Sequence, residues 1–484
     1  MANLTSLVKD TAIYGLSSII GRFLNYLLVP LYTAKLAASS GGYGVITEVY
    51  SYTALLLVLL TFGMETTFFR FVNKAEEDPR RVYSTALIAV GTVGAAFIVL
   101  VLGFLDPIAA ALDYEAHPEY LGMMAVCVAI DAFQSIPFAY LRYQRRPLKF
   151  AALKLLFILL SIGLNILFFL VLGKADVFYA FAINLGCTSF ITLFFRKELT
   201  GFRWVLDRRL LRRMLAYAWP ILLLGVVGIL NQTADKIILP RMVPGQAGKV
   251  ELGIYGACAK IAMIMAMITQ AFRYAYEPFV FGKQNDGDNR ATYAKAMKYF
   301  IIFTLLAFLF VMAYLDVLKY IIAPGYWEGL RVVPIVMAAE IMMGVYFNLS
   351  FWYKLIDKTV WGAWFSGLGC AVMLAANILF IPRFGYMACA WAGCAGYGVA
   401  MLASYFVGQR YYPIRYPLRS IGAYVVIAVL FYAVMALVPQ GWPMAARLGV
   451  NTLCLLLFAA HIVHYDLPLS SLPVVGKYFK KRRP

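Results

Sequence analysis

Long apolar stretches follow one another along the whole chain and are separated by short polar segments. Each has about 18 or more residues, which lets a helix cross roughly 30 Å of hydrocarbon. The stretches are continuous rather than alternating, which favours helices over the strands of a membrane barrel. The pattern predicts an all-α polytopic membrane protein with about fourteen transmembrane helices, centred on residues 11–34, 44–63, 83–104, 120–140, 151–172, 176–195, 217–238, 255–281, 296–315, 331–353, 360–381, 386–407, 420–438 and 445–464.

A segment near the middle of the chain recurs 212 residues later. Asn165–Phe168 returns as Asn377–Phe380, and Gly44 returns at the same offset as Gly256. One ungapped register over such a distance indicates an internal duplication. An even number of predicted spans separates equivalent positions, so both copies cross the membrane in the same direction, as in a parallel repeat.

The repeat divides the chain into three parts. We expect an N-lobe over residues 1–200 with spans 1–6 and a C-lobe over residues 201–412 with spans 7–12. Residues 413–484 add an unrepeated pair, spans 13 and 14, and a basic tail. Two six-helix lobes related by an axis along the membrane normal are typical of transporters, which bind substrate between the lobes.

The charge of the chain is unevenly distributed. Hydrophobic residues make up 63% of the chain and Asp, Glu, Lys and Arg only 14%, yet the net charge is +19. Residues 105–119 carry four acids and no Lys or Arg, whereas alternate loops are rich in them. This positive-inside asymmetry predicts that both termini are cytoplasmic. It indicates contact with anionic membrane lipids rather than nucleic acid. The basic loops contain Arg70, Lys74, Arg80, Arg81, Arg142, Arg145, Arg146, Lys149, Arg196, Lys197, Arg203, Arg208, Arg209, Arg212, Arg213, Lys283, Arg290, Lys295 and Lys298, and the tail contains Lys477, Lys480, Lys481, Arg482 and Arg483.

The sequence offers neither a metal site nor a nucleotide-binding motif. All seven cysteines fall inside predicted helices without metal-ligand neighbours, and His461 and His464 lack a third ligand. No Gly-x-x-x-x-Gly-Lys sequence is present. We therefore expect no cofactor, so uphill transport has to draw on an ion gradient or a partner, with both H⁺ and Na⁺ open as the coupling ion.

Arg22 lies near the middle of span 1, where a charge costs about 2.5–3.5 kcal/mol on insertion scales. Ser18, Arg22 and Asn25 share one face of the predicted helix. A guanidinium binds phosphate in a bidentate fork, so Arg22 and Asn25 are predicted to contact an anionic substrate. The alternative is a structural ion pair between Arg22 and an acid on a neighbouring span.

Span 8 carries two further cations, Lys260 and Arg273. Thirteen residues turn a helix by about 220° from the starting direction, so the two cations lie on different faces. Arg273 is a candidate for substrate binding because intramembrane ionisable residues usually line pathways. The alternative is an ion pair with Glu277 one turn further along the helix.

The repeat places Glu48 and Lys260 at equivalent points near the outer ends of spans 2 and 8. An acid and a base related in this way can meet across the cavity mouth and lock an outer gate. Each side chain can equally extend to the membrane interface without contacting the other. Glu48 is therefore a candidate gating residue.

Three more carboxylates are candidates for coupling or gating: Asp131 in span 4, Asp235 in span 7 and Glu340 in span 10. Hard cations such as Na⁺ take oxygen ligands, and a carboxylate can also carry a proton. Asp235 adjoins Lys236 near the outer surface, which favours an interfacial ion pair. Asp131 and Glu340 sit deeper and are the stronger candidates.

Short patterns spread over essentially the whole chain are shared with one group of transporters. They are Gly21-Arg22, Pro30-Leu31-Tyr32, Gly42-Tyr43-Gly44, Phe62-Gly63-Met64, Arg70-Phe71, Trp219-Pro220, Asp235-Lys236, Gly253-Ile254-Tyr255-Gly256, and Ile381-Pro382 with Gly385. Together they resemble the polysaccharide flippases, the Wzx-type members of the multidrug/oligosaccharidyl-lipid/polysaccharide exporter superfamily.

The resemblance implies a V-shaped pair of lobes around a cationic cavity in the bacterial cytoplasmic (inner) membrane. It implies a flippase, not an enzyme, that moves undecaprenyl-pyrophosphate-linked oligosaccharide from the inner to the outer leaflet for surface polysaccharide such as the O-antigen of lipopolysaccharide. Polysaccharide assembly proteins would be its partners. Arg22 matches a basic position of the family in span 1, and Lys260 and Arg273 are loosely similar to basic positions in span 8. Spans 13 and 14 are similar to a pair in the lipid II flippase branch, where they form a groove for the lipid tail.

Two other functions stay open. An ion-coupled multidrug antiporter of the same superfamily usually has twelve spans and an acidic cavity, which Arg22 and the two extra spans argue against. A membrane glycan polymerase or ligase usually carries a large outer loop with catalytic residues, and the predicted outer loops are short. The sequence leaves open the identity of the glycan and the oligomeric state.

Overall fold

The computed structural model describes residues 26–200, 204–282, 290–439 and 441–466, which form helices and turns and no β-strand. Thirteen helical segments in these ranges are long and apolar enough to cross a membrane. They match thirteen of the fourteen predicted stretches and confirm an all-helical polytopic membrane protein. The remaining stretch, 11–34, lies mostly outside the described residues, so a fourteenth span stays a prediction.

The main helices begin and end as follows: α1 Leu28–Lys35, α2 Gly42–Thr61, α3 Met64–Val72, α4 Pro79–Gly103, α5 Pro118–Tyr143, α6 Pro147–Ile166, α7 Val177–Thr192, α8 Arg208–Met242, α9 Gln246–Gly282, α10 Arg290–Ala313, α11 Val333–Leu349, α12 Val360–Phe384, α13 Tyr386–Tyr411, α14 Leu418–Leu437 and α15 Met444–Tyr465. Shorter helical pieces are Ala38–Ser40, Leu105–Ala111, Leu167–Val171, Leu193–Phe195, Arg196–Leu199, Leu315–Leu318, Lys319–Ile321, Pro324–Val332 and Phe351–Leu355.

Several helices begin at an Asp that the sequence places just before an apolar stretch. The carboxylate of Asp78 accepts a hydrogen bond from the Arg80 amide, with Pro79 in the first position of α4. Asp207 caps α8 in the same way, and the hydrogen bond from the Leu210 amide helps to hold its pKa below the ordinary value. Such caps satisfy amides that have no partner within the helix, so the charged loops fix where the spans start.

Contacts divide the chain into two compact units. The first comprises Met1–Lys260, Gly325–Gly329 and Cys370–Ala392. The second comprises Ile261–Pro324, Leu330–Gly369 and Gly393–Pro484. The predicted N-lobe and C-lobe, divided at residues 200 and 412, follow the sequence repeat instead and stay a prediction.

Within the first unit, α2 is followed by a break in the middle of its span. The backbone of Phe62 and Gly63 is left-handed, with φ of 34° and 71°, before α3 begins at Met64. Added side-chain bulk at Gly63 would meet Ile221 Cγ2 at 2.9 Å, so the break is packed tightly against α8. Non-helical backbone at membrane depth is tolerated where protein buries it or where it lines a water-filled cavity.

Helices α2 and α9 cross at glycines. A Cβ atom at Gly44 would lie 1.8 Å from the carbonyl oxygen of Lys249, and one at Gly253 would lie 3.1 Å from the Gly44 nitrogen. A Cβ atom at Gly256, the repeat equivalent of Gly44, would lie 3.0 Å from Thr47 Oγ1. Small residues let backbones approach this closely within membranes. The crossing therefore joins span 2 to span 8 without space for side chains.

In the second unit, α14 and α15 pack on α10 and are held to it near both ends. Lys298 forms an ion pair with Asp466, which also accepts a 2.6 Å hydrogen bond from the hydroxyl of Tyr424. Burial alone would raise the pKa of Asp466, but the hydrogen bonds from Lys298 and Tyr424 hold it below the ordinary value. Arg447 pairs with Asp316 near the opposite end. Ion pairs thus attach α15 to α10 and to the short helix Leu315–Leu318 that follows it.

The Gly44 crossing gives a direct test of the packing. Gly44→Ala should destabilise the protein by about 1–3 kcal/mol, because its methyl group overlaps the Lys249 carbonyl. The measurement is the thermal unfolding midpoint in detergent. Gly163→Ala is the matched control, since nothing lies within 4 Å of a Cβ there. A loss of stability in the control as large as that at Gly44 would contradict the crossing.

Candidate functional site

Glu48 is almost completely buried, with 1% of its surface exposed, in the first turns of α2. Its Oε2 accepts a 2.8 Å hydrogen bond from the hydroxyl of Tyr114, and its Oε1 accepts one of 3.3 Å from Tyr52. The guanidinium of Arg241 lies 3.8 Å from Oε1. Burial, followed by the effect of Glu48, raises the pKa of Tyr114 above its ordinary value, so the phenol stays a donor. The buried carboxylate is therefore fully compensated.

Arg241 extends this contact to the adjoining loop. Its guanidinium donates to the hydroxyl of Tyr52 at 3.2 Å and pairs with Asp113 at 3.3 Å. Lys249 Nζ donates to the carbonyl of Asp113 at 2.8 Å and lies 4.2 Å from the centre of the Tyr114 ring. We call these residues the Glu48 network: Glu48, Tyr52, Asp113, Tyr114, Arg241 and Lys249. It joins spans 2, 7 and 8 within the first unit.

The structure gives Glu48 a different cationic partner from the one that the repeat suggests. None of the described hydrogen bonds or ion pairs joins Glu48 to Lys260; the space beside the carboxylate holds Arg241 instead. Repeat equivalence places two residues at the same height but does not bring them together. Arg241, at the end of α8, could not be found from the repeat because its position there depends on helix packing.

Lys260 lies half-buried on α9 and makes no hydrogen bond or ion pair with the residues that the structure describes. Lys236 is within electrostatic range of it. Lys236 pairs with Asp235 at 3.0 Å, and the buried Asp235 also accepts a 2.6 Å hydrogen bond from the hydroxyl of Tyr255. The Asp235–Lys236 ion pair that their adjacency indicates is therefore present.

A second group of charges lies deeper in the first unit. Asp131, in the middle of α5, is half-buried and accepts a 3.4 Å hydrogen bond from the hydroxyl of Thr188. The ammonium of Lys154 on α6 is within electrostatic range of Asp131 and Glu65, and it lies 4.0 Å from the centre of the Phe138 ring. Helices α3, α5 and α6 thus carry opposite charges within electrostatic range of one another.

The remaining member of this group is Arg142, near the end of α5. Its guanidinium forms an ion pair with Glu65 and lies 4.9 Å from the centre of the Phe69 ring. Its Nε is buried without a hydrogen-bond partner among the described residues. We call the four charged residues the Asp131 cluster: Glu65, Asp131, Arg142 and Lys154. Sequence reasoning placed Arg142 in a loop and missed Glu65 and Lys154, although a single Lys within the apolar stretch 151–172 was a usable signal.

In the second unit, Arg273 lines a small cavity whose walls are largely aromatic. Its guanidinium lies 5.0 Å from the centre of the Phe347 ring. The hydroxyl of Thr269 and the amide oxygen of Asn348 line the same cavity and are buried without hydrogen-bond partners among the described residues. The side chain of Glu277 lies outside the described residues, so the alternative ion pair is untested. The other lining residues are Phe272, Tyr276, Phe300, Gly344 and Phe351.

Three of the remaining sequence predictions concern single residues. Glu340 is half-buried on α11 in the second unit. Arg22 and Asn25 lie outside the described residues, so their predicted contact with substrate stays a prediction. Among the residues that the structure describes, no three His, Cys, Asp or Glu side chains gather as a metal site.

The helices define a polytopic membrane protein. A family model described as "Polysaccharide biosynthesis protein" matches residues 7–275, which is more than half of the chain. The chain therefore belongs to the polysaccharide biosynthesis protein family. No protein of curated function matches the sequence significantly.

Solved transporters share the fold. The lipid II flippase MurJ in an inward closed conformation matches with a TM-score of 0.73 and 12% identity, over 94% of this chain and 99% of that chain. An inward-facing multidrug resistance MATE family transporter of the MOP superfamily matches with a TM-score of 0.65 and 16% identity, over 80% and 93%. An outward-facing MATE family transporter matches with a TM-score of 0.55 and 15% identity, over 83% of this chain and 95% of that chain. The family match and these folds confirm the resemblance that the sequence showed.

The Glu48–Arg241 contact can be measured by a double-mutant cycle. Glu48→Gln and Arg241→Gln should each lower the thermal midpoint in detergent. Arg241→Gln leaves the buried Glu48 carboxylate without its cation, and Glu48→Gln removes one of the two acids beside Arg241. The coupling energy should be about 1–3 kcal/mol.

The cycle between Glu48→Gln and Lys260→Gln is the control, and its two effects should add. A coupling to Lys260 as large as that to Arg241 would restore the pairing that the repeat suggests.

Proposed function

We propose that the protein is a flippase that moves undecaprenyl-pyrophosphate-linked oligosaccharide from the inner to the outer leaflet of the bacterial cytoplasmic membrane. Membership of the polysaccharide biosynthesis protein family supports a lipid-linked glycan, and the MurJ-like fold supports leaflet-to-leaflet transport. The cargo supplies surface polysaccharide, with O-antigen of lipopolysaccharide as one such polymer. Polysaccharide assembly proteins are the partners that supply and consume the lipid-linked cargo. Both termini lie in the cytoplasm.

The observation that carries this proposal is the family match over residues 7–275, and the structure adds Arg273 as a candidate contact for the diphosphate. A guanidinium inside a predicted span lies against an aromatic ring, next to polar atoms that lack partners among the described residues. A diphosphate cannot enter hydrocarbon without its water shell being replaced, and guanidinium supplies that replacement through charge-assisted hydrogen bonds. Aromatic side chains offer apolar surface to sugar rings. Arg273, together with Lys260, Arg22 and Asn25, forms the substrate-binding set of the proposal.

Alternating access gives the charged groups a role in gating. The predicted lobes, residues 1–200 and 201–412, are the bodies that move. The Glu48 network joins spans 2, 7 and 8 at one end of the first unit, so its contacts have to break for that end to open. The polyprenyl tail stays in lipid while the sugars cross through water. Asp131, Asp235 and Glu340 are the candidates for linking this cycle to an H⁺ or Na⁺ gradient.

A multidrug antiporter is the second candidate function. The similarity of the fold to MATE transporters favours it. The family match and the position of Arg273 favour an anionic, lipid-linked cargo instead.

The direct experiment is leaflet translocation of undecaprenyl-pyrophosphate oligosaccharide in proteoliposomes. The native protein should move it faster than protein-free vesicles. Arg22→Ala should abolish the movement, and Arg273→Gln should slow it by about tenfold or more, the effect of losing roughly 1.4 kcal/mol of binding to the diphosphate.

Arg383→Gln is the matched control, because it removes an exposed cation at the end of α12. It should leave the rate unchanged. Failure of the native protein to move several glycans under either an H⁺ or a Na⁺ gradient, with efflux of a cationic drug, would replace the flippase with the antiporter.

A further inference from the structure

The loop between predicted spans 9 and 10 inserts a tyrosine into the first unit. Tyr326 lies in the short helix Pro324–Val332, and 1% of its surface is exposed. The predicted topology places this loop outside the membrane, on the same side as the turn between spans 1 and 2. By their contacts Gly325–Gly329 belong to the first unit, although the chain on both sides of them belongs to the second. The loop tyrosine is therefore held by helices of the first unit.

Tyr326 contacts the turn between α1 and α2 with both its hydroxyl and its ring. The hydroxyl donates a 2.8 Å hydrogen bond to the carbonyl oxygen of Leu36, the residue that follows α1. The ring meets the Tyr43 ring edge-on, with 6.1 Å between the ring centres. Carbonyls at the carboxyl end of a helix have no partner within it, so Tyr326 satisfies one of them.

Helix α9 contacts the same segment through Ile254 and Cys258. The thiol of Cys258 donates to the carbonyl oxygen of Tyr326 at 3.2 Å. A Cβ atom at Gly329 would lie 2.6 Å from Cγ2 of Ile254 and 2.9 Å from the sulphur of Cys258. The backbone of the segment therefore lies directly on α9, and glycine at position 329 makes this approach feasible.

The sequence repeat gives Tyr326 a counterpart. Tyr114 lies 212 residues earlier, at the offset of the duplication, in the loop between predicted spans 3 and 4. It is also buried, its hydroxyl donates to Glu48 on α2, and the ammonium of Lys249 on α9 lies over its ring. A Cβ atom at Gly253, where α2 and α9 cross, would lie 3.7 Å from the Tyr326 ring. Each copy of the repeat thus inserts a loop tyrosine beside α2 and α9.

We propose that Tyr326 is a gate residue that closes the outer end of the transport path, with Tyr114 as its counterpart from the other copy of the repeat. The gate rests on the proposed function, because alternating access requires the outer end to be sealed while the inner end is open. Leu36 and Tyr43 belong to the predicted N-lobe and Tyr326 to the predicted C-lobe, so opening of the outer end withdraws Tyr326.

The contacts of Tyr326 suit a closure that has to be reversible. When the outer end opens, water reaches the carbonyl of Leu36 and replaces the tyrosine hydroxyl there. Exchange of a hydrogen bond within the protein for one with water changes the free energy little. No ion pair of Tyr326 has to be broken, since its contacts are hydrogen bonds and ring packing.

The first experiment needs no substrate and uses the native Cys258, which is fully buried, as the reporter. In a chain whose other six cysteines are replaced by serine, a water-soluble thiol reagent should label Cys258 slowly. Tyr326→Ala should raise the labelling rate by about tenfold or more, because the segment loses a hydrogen bond and an aromatic contact. Tyr320→Ala is the matched control, an exposed tyrosine of the same loop, and should leave the rate unchanged.

Tyr326→Phe keeps the ring and tests the hydroxyl alone, which also serves if Tyr326→Ala does not fold. It should raise the labelling rate of Cys258 by about twofold or more. Labelling of Cys258 that is as slow in both Tyr326 variants as in the native protein would overturn the gate.

The second experiment asks whether the gate has to open during transport. A Cβ atom at Gly325 would lie 3.4 Å from the Cβ atom of Ala38, near the roughly 3.5–4.5 Å that a disulfide requires. In a chain without native cysteines, Ala38→Cys combined with Gly325→Cys should form a bridge on oxidation. The bridge should stop translocation of undecaprenyl-pyrophosphate oligosaccharide in proteoliposomes, and reduction should restore it.

Gly94→Cys combined with Ala129→Cys is the matched control. A Cβ atom at Gly94 would lie 3.6 Å from that of Ala129, so this pair can bridge α4 to α5 within the predicted N-lobe. Oxidation of the control should leave the translocation rate unchanged.

Continued translocation by the oxidised Ala38→Cys, Gly325→Cys variant, with both thiols consumed, would overturn the gate. Failure of this pair to bridge would contradict the contact on which the gate depends. If the native protein moves no glycan while Tyr326→Ala exposes Cys258, the proposed function fails and the closure by Tyr326 stands.

Discussion

The cost of placing charge in hydrocarbon governs the arrangement of this protein. Two buried acids in the described spans meet compensation in the structure: Glu48 has Tyr114, Tyr52 and Arg241, and Asp235 has Lys236 and Tyr255. Compensation of this kind stabilises the fold little more than a well-packed apolar core would. Removal of one partner is strongly destabilising, because it leaves the other charge buried and uncompensated. Such pairs are therefore weak evidence for added stability.

Close backbone approach makes the compensation geometrically feasible. Gly44 and Gly253 let α2 and α9 cross with no side chain between them, and this places Lys249 over Tyr114 and next to Asp113. Arg241 at the end of α8 completes the group beside Glu48. A crossing built from glycines is narrow and has few interlocking side chains. Small residues of this kind are typical of helix contacts within membranes.

Much of the fold could be predicted from hydropathy, since long apolar stretches have few structural solutions in a bilayer. Thirteen of the predicted stretches correspond to spanning helices. The pairing of charges could not be predicted to the same degree. Asp235 and Lys236 are adjacent in sequence, so their ion pair was accessible. Lys154 lies 23 residues after Asp131 in the chain, and Arg241 lies 193 residues after Glu48. Helix packing brings them near these acids, and sequence periodicity carries no information on that packing.

The Asp131 cluster can take part in transport only if water reaches Lys154 on α6. The direct measurement is labelling of Lys154→Cys by a membrane-impermeant thiol reagent, in a chain whose seven native cysteines are replaced by serine. Leu159→Cys, at an exposed position five residues along α6, is the lipid-facing control. Labelling at position 154 from the aqueous phase, with position 159 inert, is the expected result. Position 154 reached only by a lipid-soluble reagent would contradict a wet path and leave Lys154 at the lipid surface.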